Sequence, residues 1–362
     1  MSAKEIAAKL VRPEIQAMHA YPVSDATGMV KLDVMESPYR LPEALAAEVG
    51  KVVSLVAINR YPVPSATELR ALIREVMQVP AGCDVLLGNG SDECIQYITA
   101  ALARDGAVVM APAPSFAMFA MHALFYRLRF VGVPLLEDFT LDTEAFLAAM
   151  SKEKPALVWI AFPNNPTGNA FPVADIERIV RAAPGLVVID EAYQPFAGAT
   201  FMPRLAEFDN MVVMRTVSKI GMAGLRLGYV CGRPEWIEAF NKTRSPFNIN
   251  VLTEAVAIKL LQNKKILDAQ AAKVLEERER LRPELARISG LRIFPSSANF
   301  LLARIAGGKG AGTRVFDRMK AQGVLVKDFS GGHPLMDNCL RLTIGTPEEN
   351  RILVAALREA FK

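Results

Sequence analysis

The chain has 362 residues, of which 51% are hydrophobic, and a formal net charge of +4. Since one ordinary domain holds about 100–200 residues, we expect a large domain with a second, smaller one. Lys and Arg are spread among Asp and Glu, which leaves no basic patch for nucleic acid, and no apolar run approaches the roughly 18–20 residues that cross a bilayer.

The N-terminus lacks the pattern of a secretory signal, because Lys4, Glu5 and Lys9 interrupt it. We therefore expect a cytoplasmic protein. The cysteines and histidines are scattered along the chain, and no pair has the spacing of a zinc site. We expect reduced thiols in the core and no bound metal.

The N-terminal part contains an irregular stretch over residues 11–33. Short apolar runs follow, bounded by Pro, Gly or Asn, and their length and Val/Ile content predict buried strands. These runs lie at 107–111, 156–162, 185–189, 211–216 and 227–231, and stretches with helical spacing alternate with them at 92–104, 116–127 and 173–182. This order predicts an α/β domain with a mostly parallel central sheet flanked by helices.

After Pro234 the pattern changes to long helical segments up to about Ser289, followed by strand candidates at 291–294, 300–304 and 340–344. That order is typical of a smaller α+β domain. We predict three segments. Residues 1–45 pack with the small domain, residues 46–250 form the large domain, and residues 251–362 form the small C-terminal domain.

Asp190 follows directly on the predicted strand 185–189. The carboxyl ends of strands in an open α/β sheet face the ligand crevice, so Asp190 lies where chemistry is expected, although a helix N-cap would also explain it. Lys219 follows the predicted strand 211–216, and on its own it is an ordinary solvated lysine. Together, the two side chains can reach one crevice.

A carboxylate and a lysine in one crevice suit the cofactor pyridoxal phosphate. Its aldehyde forms an imine with a lysine amine, and a carboxylate keeps its pyridine nitrogen protonated. The amine must be neutral to react, so the pKa of Lys219 must be lowered by desolvation or by a positive neighbour such as Arg226. The pairing of Asp190 with Lys219 therefore predicts a site for this cofactor.

Two loops fit the same site. Residues 161–168 follow a predicted strand and carry Asn165 among prolines and a glycine, although turn formation alone also explains them. Residues 88–93 open a predicted helix and offer backbone N–H groups to a phosphate, although small polar residues cap helices in general.

Taken in order, these segments resemble the fold-type-I pyridoxal-phosphate aminotransferases, and within them the histidinol-phosphate aminotransferases, over nearly the whole chain. The most specific matches are Asn165-Pro166-Thr167-Gly168, Asp190-Glu191-Ala192-Tyr193, Ser218-Lys219 and Gly224-Leu225-Arg226-Leu227-Gly228. The resemblance implies a fold-type-I transferase of the α/β class, with a large cofactor-binding domain and a smaller α+β domain.

The resemblance also implies a role for each matched residue. Lys219 would hold the cofactor as a Schiff base and move the proton of the substrate carbon, while Asp190 would pair with the ring nitrogen. Asn165 and Tyr193 would hydrogen-bond the phenolic oxygen of the ring. Phe116 falls where relatives often have a stacking tyrosine, and a buried core phenylalanine is the alternative. The other matched cofactor residues are Gly90, Ser91, Asp92, Thr216, Ser218 and Arg226.

The segment Asn59-Arg60-Tyr61-Pro62 resembles the one whose tyrosine reaches the cofactor phosphate of the neighbouring subunit. This match implies a homodimer with shared active sites, and a twofold dimer is the commonest oligomer on general grounds. The alternative is that Tyr61 only flanks a turn.

Arg341 lies in a segment that resembles the strand whose arginine binds the anionic group of the substrate. A surface arginine on an edge strand is the alternative. Tyr21 and Lys327 match segments that help to bind a substrate phosphate. The sequence departs from the family where Lys327 replaces a common arginine and where Met35-Glu36-Ser37-Pro38 replaces Asn-Glu-Asn-Pro.

These matches imply an aminotransferase of histidine biosynthesis that converts histidinol phosphate and 2-oxoglutarate to imidazole acetol phosphate and glutamate. An aromatic amino-acid aminotransferase and a pyridoxal-phosphate decarboxylase of a phosphorylated amino acid are the alternatives. A non-catalytic cofactor-binding regulator is disfavoured because the sequence shows no helix-turn-helix extension. A dinucleotide enzyme is disfavoured because residues 88–91 lack the full Gly-x-Gly-x-x-Gly fingerprint.

Overall fold

The computed structural model describes residues 1–20 and 24–362. In these residues the α-helices are, in chain order, α1 (Ala3–Leu10), α2 (Pro13–Gln16), α3 (Glu43–Ser54), α4 (Thr67–Val76), α5 (Ser91–Leu102), α6 (Ala117–Phe125), α7 (Thr143–Glu153), α8 (Val173–Ala182), α9 (Pro234–Asn241), α10 (Val251–Gln262), α11 (Lys264–Ala286), α12 (Ala311–Ala321) and α13 (Pro347–Ala360). The β-strands are β1 (Val30–Lys31), β2 (Asp84–Asn89), β3 (Val108–Ala113), β4 (Arg129–Pro134), β5 (Leu157–Ala161), β6 (Leu186–Asp190), β7 (Met211–Thr216), β8 (Leu227–Gly232), β9 (Leu291–Ile293), β10 (Phe300–Ile305), β11 (Val324–Leu325), β12 (Lys327–Asp328) and β13 (Cys339–Thr343).

A seven-stranded sheet in the order β2-β8-β7-β6-β5-β3-β4 forms the centre of the molecule. The neighbours from β7 to β4 pair in parallel, whereas β8 is antiparallel to both β2 and β7. Every residue of β5, β6 and β7 is buried, as expected for strands covered by helices on both faces. The predicted α/β sheet is confirmed.

Besides β2, the strand β4 of this sheet was absent from the predicted strands. It lies at the edge of the sheet, pairs only with β3 among the described strands, and contains Gly132 and Pro134. Its residues are mostly part-exposed rather than buried. The continuous apolar run that marks the inner strands is therefore missing, because an edge strand needs no such run.

The helices pack on the sheet through apolar stripes with helical spacing. In α8 the side chains of Ile176, Ile179 and Val180 are buried, while Asp175 lies in the first turn and Arg181 in the last, where their charges suit the helix dipole. Truncating one such buried side chain to alanine costs about 2–5 kcal/mol of stability. Burial of this kind keeps the sheet and its strand ends rigid.

The ends of β5, β6 and β7 lie side by side. Ala161, the last residue of β5, pairs with Asp190, the last residue of β6, and Asp190 pairs with Met214 of β7. The chain leaves these strands into the segments that carry Asn165, Tyr193 and Lys219. Since the carboxyl ends of parallel strands face the ligand crevice, the register of the sheet places these three segments at one site.

A second, four-stranded antiparallel sheet has the order β12-β13-β10-β9, and β1 near the N-terminus pairs in parallel with β11. The hydrophobic cluster around this sheet includes Leu301 and Leu342, whereas α10 packs against α3 and α4 beside the large sheet. The division of the chain at residues 45/46 and 250/251 stays a prediction.

In residues 1–20 and 24–362, no helix has the length and apolar character needed to span a membrane. The cysteines are all buried and unpaired, as the sequence predicts; they are Cys83, Cys94, Cys231 and Cys339.

Candidate active site

A cavity of about 220 Å³ lies at the carboxyl ends of the inner strands. It collects most of the predicted cofactor residues, which are Ser91, Asp92, Phe116, Asn165, Asp190, Tyr193, Thr216, Ser218, Lys219 and Arg226. A larger cavity of about 480 Å³ lies elsewhere, beside α4 and α9, and its lining includes Arg70 and Asn248. The chemistry therefore points to the smaller cavity rather than to the larger one.

Asp190 and Lys219 face this cavity from neighbouring strands. The Asp190 carboxylate is buried at the end of β6, where its Oδ1 accepts a hydrogen bond from the backbone N–H of Ala192 at 3.0 Å. Lys219 lies in a short 3₁₀ turn directly after β7. Its Nζ donates to the backbone oxygen of Val34 at 3.1 Å and lies 5.7 Å from the centre of the Tyr193 ring.

The surroundings shift the proton affinity of both groups. Burial raises the pKa of the Asp190 carboxyl to about 7, and the carboxylates of Asp92 and Glu191 add to that shift. Burial also lowers the pKa of the Lys219 amine to about 8, with the Arg341 guanidinium as the second cause. Near neutral pH the acid and the amine therefore both exchange protons readily, as acid–base chemistry requires.

The N-terminus of α5 lies at one end of the cavity, which Ser91 and Asp92 line. Gly90, with a φ of 81°, turns the chain into the helix at Ser91, and among the described residues no side chain caps the first N–H groups. Gly90 also makes room for Arg226, since a Cβ at position 90 would lie 2.6 Å from Arg226 Nη2. Free N–H groups beside a guanidinium form a site for a phosphate.

Two hydroxyl groups extend this end of the cavity. Thr216 Oγ1 and Ser218 Oγ lie 2.9 Å apart, and Thr216 Oγ1 also contacts the backbone oxygen of Leu227. Both side chains are buried. Hydroxyl groups and backbone N–H groups together can satisfy several phosphate oxygens without a further cation.

Asn165, Tyr193 and Phe116 form the walls of the cavity. Tyr193 packs edge-on against Phe300, with ring centres 5.3 Å apart, and Phe116 packs edge-on against Phe119 at 5.7 Å. Phe116 is only partly buried and lines the cavity, so its ring is available for stacking on a ligand.

Arg341 and Lys327 approach the site from the four-stranded sheet. They lie directly opposite each other in the antiparallel pair β12–β13, so both side chains start on the same face of that sheet. The Arg341 guanidinium is buried, and its Nη2 donates to the backbone oxygen of Asp33 at 2.8 Å. Lys327 is part-exposed. Arg341 is joined to the cavity, because its Nη1 donates to Asn165 Oδ1 at 2.6 Å, whereas Lys327 does not line the cavity.

Among the predicted cofactor residues, Tyr61 is not brought to the cavity. The side chain of Tyr61 is 82% exposed and stacks on Phe247, with ring centres 4.8 Å apart. The prediction for Tyr61 requires a second subunit, and a single chain does not contain that contact. Tyr21 lies outside the described residues.

Val34, Met35 and Glu36 form a further wall of the cavity, and none of them was among the predicted site residues. Met35 has a left-handed backbone with a φ of 56°, held by hydrogen bonds to Thr343 Oγ1 and Asn299 Nδ2. Asparagine tolerates this conformation better than methionine does, which accounts for the asparagine usual at this position. The departure from the family pattern was the available signal.

Asn164 was also missed, because its neighbour Asn165 carries the motif. It is fully buried and donates to the backbone oxygen of Pro114 at 3.0 Å and to Thr167 Oγ1 at 2.8 Å, while it accepts from Ser115 Oγ. These bonds join the loop before α6 to the loop after β5. Asn164 therefore holds the segments of Phe116 and Asn165 together.

Comparison with known proteins identifies the family of the chain. Residues 27–357 match the family Aminotransferase class I and II. The chain is 55% identical to histidinol-phosphate aminotransferase 2 of Cupriavidus pinatubonensis over 98% of this chain and 96% of the relative. It is 54% identical to histidinol-phosphate aminotransferase 1 of Ralstonia nicotianae over 96% and 94%.

A solved structure shares the fold over almost the whole length. Histidinol-phosphate aminotransferase from Sinorhizobium meliloti, in complex with pyridoxal-5'-phosphate, superposes with a TM-score of 0.86 at 26% identity, over 97% of each chain. The resemblance and the fold-type-I architecture predicted from the motifs are confirmed. The chain belongs to the aminotransferase class I and II family.

Proposed function

We propose that this aminotransferase transfers the amino group of histidinol phosphate to 2-oxoglutarate, giving imidazole acetol phosphate and glutamate in histidine biosynthesis. The observation that carries the proposal is the placement of Arg341 and Lys327 opposite each other on neighbouring strands, with Arg341 hydrogen-bonded to Asn165 of the cavity. Relatives more than 50% identical to the chain bear the name histidinol-phosphate aminotransferase.

Membership of the family makes the chain a transaminase that depends on pyridoxal phosphate. When bound, this cofactor supplies an aldehyde that condenses with amines and a ring that takes up electrons from the substrate carbon. The residues of the cavity fit such a molecule. A buried acid, a lysine whose pKa is lowered to about 8, and uncapped N–H groups of α5 beside Arg226 match its ring nitrogen, its aldehyde and its phosphate.

Asp190 and Lys219 have the central roles in this proposal. With the cofactor bound, the Asp190 carboxylate would keep the ring nitrogen protonated, and the Lys219 amine would hold the cofactor and move the proton at the substrate carbon. Since the pKa of Lys219 is lowered to about 8, a sizeable fraction of the amine is neutral at physiological pH and can act as a base.

The remaining cavity residues orient the cofactor. Asn165 and Tyr193 would hydrogen-bond the phenolic oxygen, and Phe116 would stack on the ring. The backbone around Gly90, Ser91 and Asp92 and the side chains of Thr216, Ser218 and Arg226 would hold the phosphate.

Arg341 and Lys327 bind the phosphate of the amine substrate. Like charges that lie directly opposite each other across two strands repel, and an anion between them removes the repulsion. A phosphate carries more charge than a carboxylate and has more oxygens to share between two cations. Tyr21 is assigned to the same phosphate from the sequence.

The active enzyme is a homodimer in this proposal, with Tyr61 reaching the cofactor phosphate of the partner subunit. The segment around Tyr61 exposes large apolar side chains, namely Leu55, Ile58 and Val63, at 85%, 76% and 62% of their surface. An exposed apolar patch of this kind is typical of a subunit interface. We expect the dimer to work in the cytoplasm.

A single-turnover experiment tests the substrate. The enzyme loaded with its cofactor is mixed separately with histidinol phosphate, phenylalanine and glutamate, and the loss of the visible cofactor band is followed. We expect fast loss with histidinol phosphate at low concentration and with glutamate. Fast loss with phenylalanine but not with histidinol phosphate would make the chain an aromatic amino-acid aminotransferase, and release of carbon dioxide from a phosphorylated amino acid would make it a decarboxylase.

A further inference from the structure

A buried ion pair lies beneath the floor of the cavity. Successive residues of a strand point to opposite faces of the sheet, so Glu191 and Arg215 point away from the cavity while Asp190 and Thr216 line it. The side chains of Glu191 and Arg215 are 0% and 8% exposed, and they form a salt bridge of 2.8 Å. None of the roles proposed above uses this pair.

The Glu191 carboxylate fastens the loop that carries Tyr193. It accepts hydrogen bonds from Thr200 Oγ1 at 2.8 Å and from the backbone N–H of Phe201 at 2.5 Å, at the far end of the loop 191–201. It also accepts from Arg215 Nε at 2.9 Å. One side chain therefore joins the start of the loop, its end and the neighbouring strand β7.

Arg215 continues the connection beyond the end of strand pairing. The register of β6 and β7 ends with Asp190 opposite Met214, and Glu191 N–H still donates to the Met214 oxygen at 2.8 Å. Arg215 is the next residue of β7 and lies opposite Tyr229 of β8. The Glu191–Arg215 bridge therefore holds the two strand ends together where the backbone bonds stop.

Stability alone gives a poor account of this pair. Two charges taken out of water lose much of their hydration, and a buried ion pair is often no more stable than apolar side chains of similar volume. The contacts give a geometric account instead. They fix the segment that leads from Asp190 to Tyr193 and the strand that leads to Lys219.

The pair also affects the charge near Asp190. Burial is the main cause of the raised pKa of Asp190, and Asp92 and Glu191 add to it, while Lys219 opposes it. Arg215 neutralises Glu191. Removal of Arg215 leaves a buried negative charge beside Asp190, and removal of the Glu191 charge leaves a buried positive one.

We propose that Glu191 and Arg215 are positioning residues, which hold Asp190 and Tyr193 in place and balance the charge behind Asp190. The inference rests on the proposed cofactor roles of Asp190 and Tyr193. It does not depend on which amine the enzyme uses.

The test uses the cofactor-loaded enzyme with Glu191→Gln and Arg215→Gln. For each variant, the visible absorbance of the cofactor is titrated with pH and the cofactor dissociation constant is measured. Arg215→Gln leaves the negative charge of Glu191 unbalanced, which favours protonation nearby, so the pH midpoint of the cofactor absorbance should rise. Glu191→Gln leaves the positive charge of Arg215 unbalanced, so that pH midpoint should fall. Both variants should bind the cofactor about tenfold more weakly, since each disturbs charge-assisted hydrogen bonds.

Two further variants separate positioning from stability. Leu357→Ala removes a fully buried side chain of α13 in the cluster of the small sheet, so it should lower thermal stability while the midpoint and the cofactor affinity stay at wild-type values. Arg215→Lys keeps the charge but loses the planar fork, so it should weaken cofactor binding with an unchanged midpoint. If Arg215→Gln does not fold, a lowered midpoint in Glu191→Gln beside an unchanged one in Arg215→Lys supports the proposal, and a wild-type midpoint in Glu191→Gln overturns it.

Opposite shifts of the midpoint support the proposal, because a merely structural pair gives no shift that follows the sign of the removed charge. Wild-type midpoints and affinities in both glutamine variants, with only thermal stability reduced, would overturn it. Shifts of the same sign would also overturn it. These readouts do not involve histidinol phosphate, so a failure of the substrate proposal is recognised separately.

Discussion

Arg341 Nη1 donates a hydrogen bond to Asn165 Oδ1 at 2.6 Å, and this bond joins the four-stranded sheet to the loop after β5. The guanidinium also lies over the rings of Phe300 and Phe329, at 5.4 and 5.2 Å from their centres. Arg341 is therefore held in place before any substrate binds. A preorganised cation loses little freedom on binding an anion, which favours tight binding.

Replacing Arg341 by lysine tests this arrangement. Arg341→Lys keeps the charge but loses the planar fork that contacts Asn165 and the Asp33 backbone at once. We expect the KM for the phosphate substrate to rise about tenfold or more, since a charge-assisted bond is lost. Steady-state kinetics measure the change. The exposed Arg351→Lys of α13 is the control and should keep the wild-type KM.

Removal of the Lys219 amine tests the assignment of the cofactor lysine. Lys219→Ala should abolish transamination and the visible absorbance that depends on attachment of the cofactor. The fold should persist, because the side chain is only partly buried and the hydrogen bond of its amine goes to the backbone oxygen of Val34. Absorbance, activity and circular dichroism are measured together. Full activity in this variant would exclude Lys219 from the chemistry.

Stability of the cofactor-free protein should depend on pH through Asp190. Burial raises the pKa of Asp190 to about 7 in the folded chain, whereas an unfolded aspartate titrates near pH 3.8. The folded state therefore binds the proton more tightly, and the stability that Asp190 contributes is complete below about pH 4 and is lost as the pH rises through about 7. The side chain of Asp190→Asn does not titrate, so the stability of this variant has no such dependence on pH.

The measurement is thermal or urea unfolding of both cofactor-free proteins across that range of pH. Relative to wild type, Asp190→Asn should gain roughly 2–4 kcal/mol of unfolding free energy between pH 4 and pH 8. The surface variant Asp209→Asn, at an exposed side chain, is the control. Its difference in unfolding free energy from wild type should not change with pH. If the unfolding free energy of Asp190→Asn relative to wild type is also independent of pH, Asp190 is not a buried acid with a raised pKa.

Hybrid dimers test the role of Tyr61. If Tyr61 serves the partner's site, a dimer of one Tyr61→Ala subunit and one Lys219→Ala subunit has one complete site, and we expect about half of the wild-type activity at limiting cofactor. The hybrid is purified through two different tags and assayed. If Tyr61 serves its own subunit, this hybrid has no complete site and stays inactive.

The reverse hybrid is the control. It pairs a wild-type subunit with one that carries both Tyr61→Ala and Lys219→Ala. A shared site leaves it without a complete site, whereas a site within one subunit leaves it half active. Sedimentation measurements on the wild-type chain establish independently whether a dimer forms. A monomeric active enzyme would contradict the proposed role of Tyr61.

The sequence alone predicted that Asp190 and Lys219 share one site, and both line one cavity in the structure. Asp190 and Lys219 each follow a strong apolar run. Such a run predicts a buried strand because a short stretch of sequence contains the whole apolar pattern. The position of a polar residue directly after a buried strand is also a local feature. The parallel order of the strands then predicts that both side chains share one edge of the sheet.

The contacts between distant segments were decided only by the tertiary structure. Arg341 and Asn165 are 176 residues apart, and Glu191 and Arg215 are 24 apart, so no periodicity in the sequence indicates that they meet. The left-handed backbone of Met35 is likewise held by a hydrogen bond to Thr343, 308 residues away.

The difference between what the sequence predicted and what only the tertiary structure decided has a physical reason. Strand and helix patterns follow from local burial and from turn residues, which a short stretch of sequence contains in full. Hydrogen bonds between buried side chains depend on how whole elements pack, since a small change in register or in side-chain direction separates the partners. The sequence therefore predicted which residues are proposed to carry the chemistry and determined near which strand ends they lie, while packing alone decided how they are held.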